Sequence, residues 1–287
     1  MRKATAFRRA LLLAVALQGC AATPPPAPDF AFALMGDMPY SHAQANLLDE
    51  LIAQMNAEPL AFVAHVGDIT SGRGPCSDEW LEARRRQFAR LRHPFVLLPG
   101  DNEWTDCHRS GFDPLERLAR WRELFCGPVA LHAFRRQPGA HCENVLWEAN
   151  EIVFVGVNVP GSNNNLDRTP QMDAEHSARM RAVFGWLEEA KTLAQGRGAL
   201  VVLMQADPFL APRAGPDGFA SLRDWLRRAA QDSSPRILLV HGDTHFFRDD
   251  EPLPRLRRVV VPGSPQVRWL RASAVRGEFR IEVADPP

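Results

Sequence analysis

The chain has 287 residues, of which 45% are hydrophobic and 24% are charged, and its formal net charge is zero. This is the composition of an ordinary globular protein with enough apolar residues for a large core. The neutral charge balance argues against nucleic acid as a partner, because that binding depends on a basic surface that releases counterions. Arginine runs at 84–86 and 227–228 lie in helical patterns and are expected to be solvated faces.

The first 28 residues predict an export signal and a tether. A basic start precedes an apolar stretch, 10–17, that is too short to span a bilayer as a mature helix. The sequence Leu-Gln-Gly-Cys that ends at Cys20 resembles a bacterial lipobox, so residues 1–19 are interpreted as a lipoprotein-type signal. Cys20 would then carry lipid and anchor the exported, periplasmic protein to the bacterial outer membrane; ordinary secretion is the alternative. The proline-rich residues 20–28 fit an extended tether.

The next part of the chain alternates strands with helices. Apolar runs predict strands at 30–35, 60–66 and 95–98, and helical patterns separate them at 43–56 and 78–91. This βαβα order favours a largely parallel sheet. A further helix is predicted over 114–125, with Asp113 as its N-cap before a first-turn proline.

The second half predicts a hairpin, more alternation and a β-rich tail. Two strands, 144–149 and 151–159, are joined tightly at Asn150. A polar loop at 160–170 leads to elements predicted as a helix at 172–194, a strand at 200–205, a helix at 219–230 and a strand at 236–241. The tail segments 256–261, 266–270 and 278–283 are interpreted as a β-meander that completes a second sheet. The chain from 29 to 285 is therefore predicted to be one α/β domain of mixed sheets flanked by helices.

Four of the predicted strands end in the same dipeptide, Gly-Asp. The four carboxylates are Asp37, Asp68, Asp101 and Asp243. In open α/β sheets the functional crevice lies at the carboxyl ends of the strands, so these side chains are expected to meet at one edge. Several carboxylates in one place need a cation to offset their repulsion, and the sequence therefore predicts a metal site.

The cysteine count agrees with export. Without Cys20, four cysteines remain, an even number in a compartment where disulfides persist. Of the three possible pairings we favour Cys76 with Cys107, because each follows one of these aspartates by a few residues, and Cys126 with Cys142, because they flank one loop. A structural zinc is the competing interpretation, although no C-x-x-C pair is present.

The order of motifs resembles the calcineurin-like metallophosphoesterase superfamily. That family presents D-x-H, G-D, G-N-H-D/E, a lone His after a strand, and G-H-x-H on loops at the sheet edges of a four-layer α/β/β/α sandwich. The resemblance covers the whole mature chain and implies this sandwich of two mixed sheets flanked by helices. The corresponding stretches here begin at Asp37, Gly67, Gly100, Gln205 and Gly242, the last reading Gly-Asp-Thr-His to His245.

The departures from the family pattern change the chemistry of the site. The resemblance makes Asp37 and His245 ligands of one metal, with Asp68 bridging to a second, and Asp101, Gln205 and Asp243 stand where the family has Asn or His ligands. The substitutions replace nitrogen donors by carboxylate and amide oxygens, which suit magnesium, manganese or calcium better than zinc or iron. One or two divalent ions of this harder kind are expected.

The resemblance also bears on proton transfer. Asn102 occupies the place of the family's histidine that is thought to protonate the leaving group, and an amide cannot exchange a proton in this way. His241 is the nearest replacement by position, and a strand-end histidine bonded to backbone is the alternative role for it. Tyr40 is expected either to line the pocket or to cap the following helix, and Glu103 to add a ligand or to orient one.

The most favoured function is metal-dependent hydrolysis of a phosphate ester, a phosphomonoester or phosphodiester, in the cell envelope, with a small phosphorylated substrate. The alternative is a non-catalytic binding protein that holds a cation or a phosphorylated ligand in a remodelled pocket. A third hypothesis is that the chain is a structural envelope protein with a vestigial pocket.

Overall fold

The computed structural model describes residues 30–126, 134–210, 214–232, 234–275 and 278–285. The predicted export signal at 1–19, the predicted lipid attachment at Cys20 and the predicted tether at 20–28 lie outside the described residues. In chain order the strands are β1 Phe30–Met35, β2 Val63–His65, β3 Phe95–Leu97, β4 Arg135–Arg136, β5 Val145–Ala149, β6 Ile152–Gly156, β7 Ala199–Leu203, β8 Arg236–His241, β9 Arg248–Leu253, β10 Leu256–Val260, β11 Leu270–Val275 and β12 Glu278–Val283. The helices are α1 His42–Ala57, α2 Asp78–Phe88, α3 Pro114–Phe125, α4 Pro170–Ala194 and α5 Ala220–Gln231, with a 3-10 helix at Thr105–Ser110.

The strands form two mixed sheets. The first has the order β12-β11-β1-β2-β3, in which β1, β2 and β3 are parallel and β11 and β12 are antiparallel neighbours. The second has the order β4-β5-β6-β7-β8-β10-β9, with a parallel centre from β6 to β10 and antiparallel edges. The expected fold, two mixed sheets flanked by helices, is confirmed.

The side chains of β1 point alternately to the two sides of the first sheet and so pack in two different cores. Phe32 and Leu34 point into the core between the two sheets, where Phe32 stacks on Phe62 and meets Phe154 of β6 edge-on. Ala33 and Met35 point the other way and pack under α1, α2 and α3. Because successive strand residues face opposite sides, one apolar strand can serve both cores. A third core lies between the second sheet and helices α4 and α5.

The helix starts follow their local sequence signals. The Asp113 side chain accepts a hydrogen bond from the backbone N–H of Glu116, and Pro114 occupies the first helical position of α3. Thr169 and Pro170 begin α4 in the same way. These residues satisfy or remove backbone donors that a helix N-terminus leaves without partners. The hairpin is also present, and its turn residues Asn150 and Glu151 have φ of 51° and 60°.

Two sequence predictions are wrong. The tail is not one meander: β10 lies in the second sheet while β11 and β12 extend the first, and the polar strand β9 was missed because it has no apolar run. The arginine run at 84–86 is not wholly a solvated face, since Arg84 is only 6% exposed. In both cases the neighbours in the tertiary structure decided the outcome. The local sequence pattern does not contain them.

Both favoured disulfides are present. Cys76 is bonded to Cys107 and Cys126 to Cys142, with Cα atoms 5.8 and 5.9 Å apart. The first links the segment after β2 to the segment after β3. Among the described residues, no helix has both the length and the apolar character that crossing a lipid bilayer requires.

Candidate metal centre

The four Gly-Asp turns lie at the carboxyl ends of β1, β2, β3 and β8. Asp37, Asp68 and Asp243 adopt left-handed backbone conformations with φ of 53°, 62° and 72°. Aspartate tolerates the left-handed region better than most residues do. This backbone conformation lets the chain turn sharply where each strand ends. We call the group Asp37, Asp68, Asp101, Asp243 and His245 the acidic cleft.

The glycines of these turns make room for the neighbouring aspartates. A Cβ atom on Gly242 would lie 2.0 Å from Oδ2 of Asp37, and one on Gly100 would lie 2.0 Å from Oδ1 of Asp68. No side chain fits at such distances. Two of the four glycines, Gly100 and Gly242, thus border the carboxylate of another strand, whereas Gly67 borders the backbone of Gly100.

The structure brings the predicted carboxylates together across the two sheets. The backbone N–H of Asp243 donates to Oδ1 of Asp37 at 2.9 Å, and Nε2 of His245 lies 3.7 Å from the same oxygen. Oδ2 of Asp101 and Oδ1 of Asp243 lie 2.7 and 3.1 Å from the position of a Cβ atom on Gly161. Residues that are 206 positions apart in sequence, Asp37 and Asp243, are thus direct neighbours.

Asp68 is at the centre of the polar contacts. Its Oδ2 accepts hydrogen bonds from Nδ2 of Asn102 at 2.9 Å, from the Tyr40 hydroxyl at 3.1 Å and from Nε2 of Gln205 at 3.1 Å. The Tyr40 oxygen also lies 3.1 Å from Nε2 of His245. Tyr40 therefore lines the cleft, while Ser41 caps α1. The sequence held one signal for this position, a tyrosine three residues after Asp37.

Glu103 is fully buried and joins the turns without facing the cleft. It accepts hydrogen bonds from the backbone N–H groups of Gly100, Asp68 and Ile69 at 2.7, 3.2 and 3.4 Å. One carboxylate thus connects the turn after β2 to the turn after β3. Of the two roles expected for Glu103, orienting a ligand is the one that these contacts support.

A left-handed turn closes the other side. Ser162, Asn163, Asn164 and Asn165 all have φ between 47° and 62°. Hydrogen bonds hold this costly conformation: the buried Arg179 donates to Oδ1 and to the carbonyl oxygen of Asn164, at 2.6 and 2.9 Å. The turn places the Ser162 hydroxyl 2.7 Å from Oδ2 of Asp101 and 2.8 Å from Oδ1 of Asp106. Neither residue was predicted from the sequence: the polar loop at 160–170 was the one signal for Ser162, and Asp106, in the 3-10 helix, had none.

The electrostatics of the cleft are dominated by carboxylates without a counter-charge. Burial raises the pKa of Asp37 and Asp68 well above the ordinary range, and neighbouring carboxylates raise them further. Burial likewise raises the pKa of Asp101 and of Glu103 to about 7. Burial also raises the pKa of Asp243. These groups can be ionised together at neutral pH only if a positive charge joins them.

The donor atoms of the cleft fit a cation in chemical character, but they are not gathered into a compact shell. Oδ2 of Asp37 is buried and has no hydrogen-bond partner, and the set is rich in oxygen, as harder divalent cations prefer. In the described part of the chain, however, the only three His, Cys, Asp or Glu donors within 4.8 Å of one another are those of Cys126, Cys142 and Glu143, where the cysteines form a disulfide. In this arrangement a cation in the acidic cleft would take at most two of these donors at once, and amide or carbonyl oxygens or water would complete its shell.

Three of the sequence-predicted residues have contacts that limit their roles. Gln205 turns its NH₂ group towards Asp68, and its oxygen accepts from the Gly161 N–H at 2.5 Å. Asn102 lines the cleft and donates to Asp68 and to the carbonyl oxygen of Thr70. His241 does not line the cleft: it is fully buried, with Nδ1 2.9 Å from the Gly242 carbonyl oxygen and Nε2 3.8 Å from Asp207.

The cleft opens into a cavity of about 380 Å³. Its lining includes Arg109, which forms an ion pair with Asp106 at 2.5 Å, and the apolar residues Leu210 and Phe219. The cavity is large enough for a small organic molecule. Arg109 was not singled out from the sequence because a lone exposed arginine has no local pattern.

Comparison with known proteins finds relatives by structure only. No family model matches the sequence, and a search of curated proteins finds no match. The structure is similar to a dimetal phosphatase from Danio rerio, with a TM-score of 0.59 and 12% identity over 89% of this chain and 99% of that chain. It is also similar to a purple acid phosphatase from yellow lupin (Lupinus luteus) seeds, with a TM-score of 0.55 and 14% identity over 88% of this chain and 51% of that chain. At these identities the likeness establishes the fold alone.

Proposed function

We propose that this chain, whose fold is that of the calcineurin-like metallophosphoesterases, hydrolyses a phosphate ester with the help of bound divalent cations. The observation that carries the proposal is the acidic cleft itself. Four carboxylates from four strand ends meet beside a cavity, and one buried oxygen, Oδ2 of Asp37, has no partner. A neutral, purely structural role leaves this accumulation of like charge without a reason.

The residues that would hold the cations are Asp37, Asp68, Asp101, Asp243 and His245, with Gln205 after rotation of its amide. When bound, such cations offset charge on the phosphoryl oxygens and acidify an attacking water. Tyr40 and Asn102 hold the Asp68 carboxylate in one orientation. The oxygen-rich set favours magnesium, manganese or calcium over zinc or iron.

Protonation of the leaving group restricts the substrate. Asn102 cannot donate a proton as an acid, and the His241 ring is buried outside the cavity lining. Burial also lowers the pKa of His241 to about 4, so its ring is neutral at physiological pH. We therefore expect the best substrates to have leaving groups of low pKa, which depart without a proton.

The cell envelope is the proposed location. The support comes from the basic and apolar start of the chain and from the lipobox-like sequence before Cys20. The two disulfides of the described residues fit an oxidising compartment. Substrates of the proposed size, small phosphorylated molecules, match a cavity of about 380 Å³.

The test is elemental analysis of the protein from residue 29 onward, joined to hydrolysis assays of aryl and alkyl phosphate esters with magnesium, manganese or calcium. We expect bound metal and turnover of aryl esters, with a fall of about 10³-fold or more in Asp68→Asn. Arg85→Ala, on the surface of α2, is the matched control. Full activity in Asp68→Asn would refute the mechanism.

A second candidate function is cation or phosphate-ligand binding without catalysis. It is favoured by one observation: Asn102 is not an acid and His241 is buried outside the cavity lining, so neither can protonate a leaving group. This function predicts bound calcium and no turnover of any ester in the panel. Turnover that depends on Asp68 would exclude it.

A further inference from the structure

A buried arginine on the far side of α2 has no hydrogen-bond partner for two of its nitrogen atoms. Arg84 is 6% exposed, and its Nε and Nη1 atoms have no acceptor. Its guanidinium lies over the Trp80 ring, with Cζ 4.4 Å from the ring centroid. A cation–π contact compensates part of the lost hydration, but unmet donors of a buried cation remain costly.

The surroundings of Arg84 are positively charged. It lines a cavity of about 310 Å³ between α1 and α2, together with Arg86, Arg90, His42 and Asn46. The one carboxylate in the lining, Asp49, uses its Oδ1 to accept from Arg90 and from Nε2 of Gln87, both at 2.6 Å. In the described structure Asp49 therefore forms no hydrogen bond with Arg84. Three arginines and one aspartate line this groove, and Arg86 also pairs with Glu82, its Nη1 atom lying 3.6 Å from Oε2.

These features point to an anion as the missing partner. Arginine presents a planar array of N–H donors that matches the oxygens of a phosphate, and a cluster of arginines raises that preference. Arg84 lines the cavity, where its Nε and Nη1 atoms are buried without an acceptor, and the side chains of Arg86 and Arg90, which also line it, are exposed. We propose that the groove between α1 and α2 is a binding site for the phosphate group of a small molecule.

The site is separate from the acidic cleft but connected to it through Trp80. The indole N–H of Trp80 donates to the carbonyl oxygen of Ile69 at 2.8 Å, and Ile69 directly follows Asp68. His42 packs edge-on against the same indole, with ring centroids 5.3 Å apart. An anion bound to Arg84 thus sits one side chain away from the turn that carries Asp68.

Binding is tested with inorganic phosphate and the protein in EDTA, so that no metal in the cleft can hold the anion. Titration by calorimetry, and by NMR of the arginine Nε–H groups, is expected to show saturable binding with a Kd of about 1 mM. Acetate is the comparison for charge alone and is expected to bind about 10-fold more weakly. No saturation, or equal affinity for acetate, would overturn the assignment to phosphate.

Variants locate the site. The double variant Arg86→Ala/Arg90→Ala changes only exposed side chains and is expected to weaken phosphate binding about 10-fold, and Arg84→Met to abolish it. Arg85→Ala, a neighbour outside the cavity, and Asp68→Asn, in the cleft, are expected to bind as the unmodified protein does. If Arg84→Met does not fold, the double variant decides. Unchanged affinity in the double variant would refute the site, whatever the outcome for hydrolysis.

Discussion

Glu143 and Asp68 are both buried carboxylates, but the protein surrounds them with opposite charges. Arg122 binds Glu143 with two hydrogen bonds, of 2.8 and 2.5 Å, while Nδ2 of Asn158 donates to it at 3.1 Å and His141 lies 3.7 Å away. Burial alone would raise the pKa of Glu143, but these partners outweigh it and lower the pKa to about 2. Around Asp68 the charged neighbours are Asp101, Glu103 and Asp37, and its pKa rises.

The difference shows which buried charge the chain compensates by itself. We call Glu143, Arg122, His141 and Asn158 the Glu143 network. Its counter-charge is built into the sequence, so removing either partner is expected to destabilise the fold by leaving the other unpaired. The acidic cleft has no such cation among the described residues that line it apart from Arg109, which pairs with Asp106. This unbalanced charge is the basis of the proposed cation site.

The largest effect is expected where the counter-charge is built in. Glu143→Gln removes the charge and leaves Arg122 unpaired, and we expect a loss of about 3 kcal/mol in the free energy of unfolding. Asp68→Asn relieves repulsion and is expected to cause no loss in EDTA. Urea unfolding of both variants measures the contrast. Equal losses would mean that the two regions do not differ in this way.

The two disulfides are expected to differ in the same way: one affects stability alone, and the other affects stability and activity. Replacing Cys126 and Cys142 by serine opens a 16-residue loop beside the Glu143 network and is expected to cost about 3 kcal/mol of stability without changing hydrolysis. Replacing Cys76 and Cys107 is expected to cost a similar amount and to lower activity as well, since both sulfur atoms lie 3.4 Å from the carbonyl oxygen of Asn102. Thermal unfolding and ester hydrolysis are measured on both pairs. Equal loss of activity would remove the distinction.

Added cations sharpen the comparison. Magnesium or manganese at 100 times its Kd is expected to raise the stability of the unmodified protein by about 2.7 kcal/mol, because it binds only the folded cleft. Glu143→Gln should keep this gain in full. Asp68→Asn should lose most of it. The readout is the midpoint of thermal unfolding with metal and with EDTA, and a gain retained in Asp68→Asn would place the cation elsewhere.

The smallest effects are expected from pH, with opposite signs in the two regions. The pKa of Asp101 is about 7 when folded and ordinarily 3.8, so its contribution to stability is present below 3.8 and is lost as pH rises towards 7. The pKa of Glu143 is about 2 when folded and ordinarily 4.5, so its contribution is present above 4.5 and is lost as pH falls towards 2.

Comparison with matched variants isolates the pH dependence of stability that each of these two carboxyl groups causes. The stability of the unmodified protein minus that of Asp101→Asn, in EDTA, should fall as pH rises. The same difference taken with Glu143→Gln should fall as pH drops. The subtraction removes the contributions of His65 and His241, because both residues are present in every protein compared. Burial lowers the pKa of each to about 4, so their contribution to stability increases with pH. Slopes of the same sign would contradict the electrostatic contrast.

Much of the fold could be predicted from local sequence. The strand at 30–35, the helix at 114–125 with its Asp113 cap, and the strand at 236–241 were predicted with the bounds that the structure has. They depend on apolar periodicity, capping residues and prolines, which act within a few positions. The tail failed because β10 and β11 belong to different sheets, and no local pattern specifies which sheet a strand joins.

For the candidate site, the sequence by itself determined which carboxylates are delivered, because each Gly-Asp turn follows an apolar strand. Only the tertiary structure decided what those carboxylates touch. Tyr40 reaches the cleft with its hydroxyl, and a left-handed turn places Ser162 there. His241 lies away from the cleft, near Asp207. Periodicity specifies where a strand ends. The neighbours of its last side chain come from segments tens to hundreds of residues away, whose approach is set by packing of the whole core.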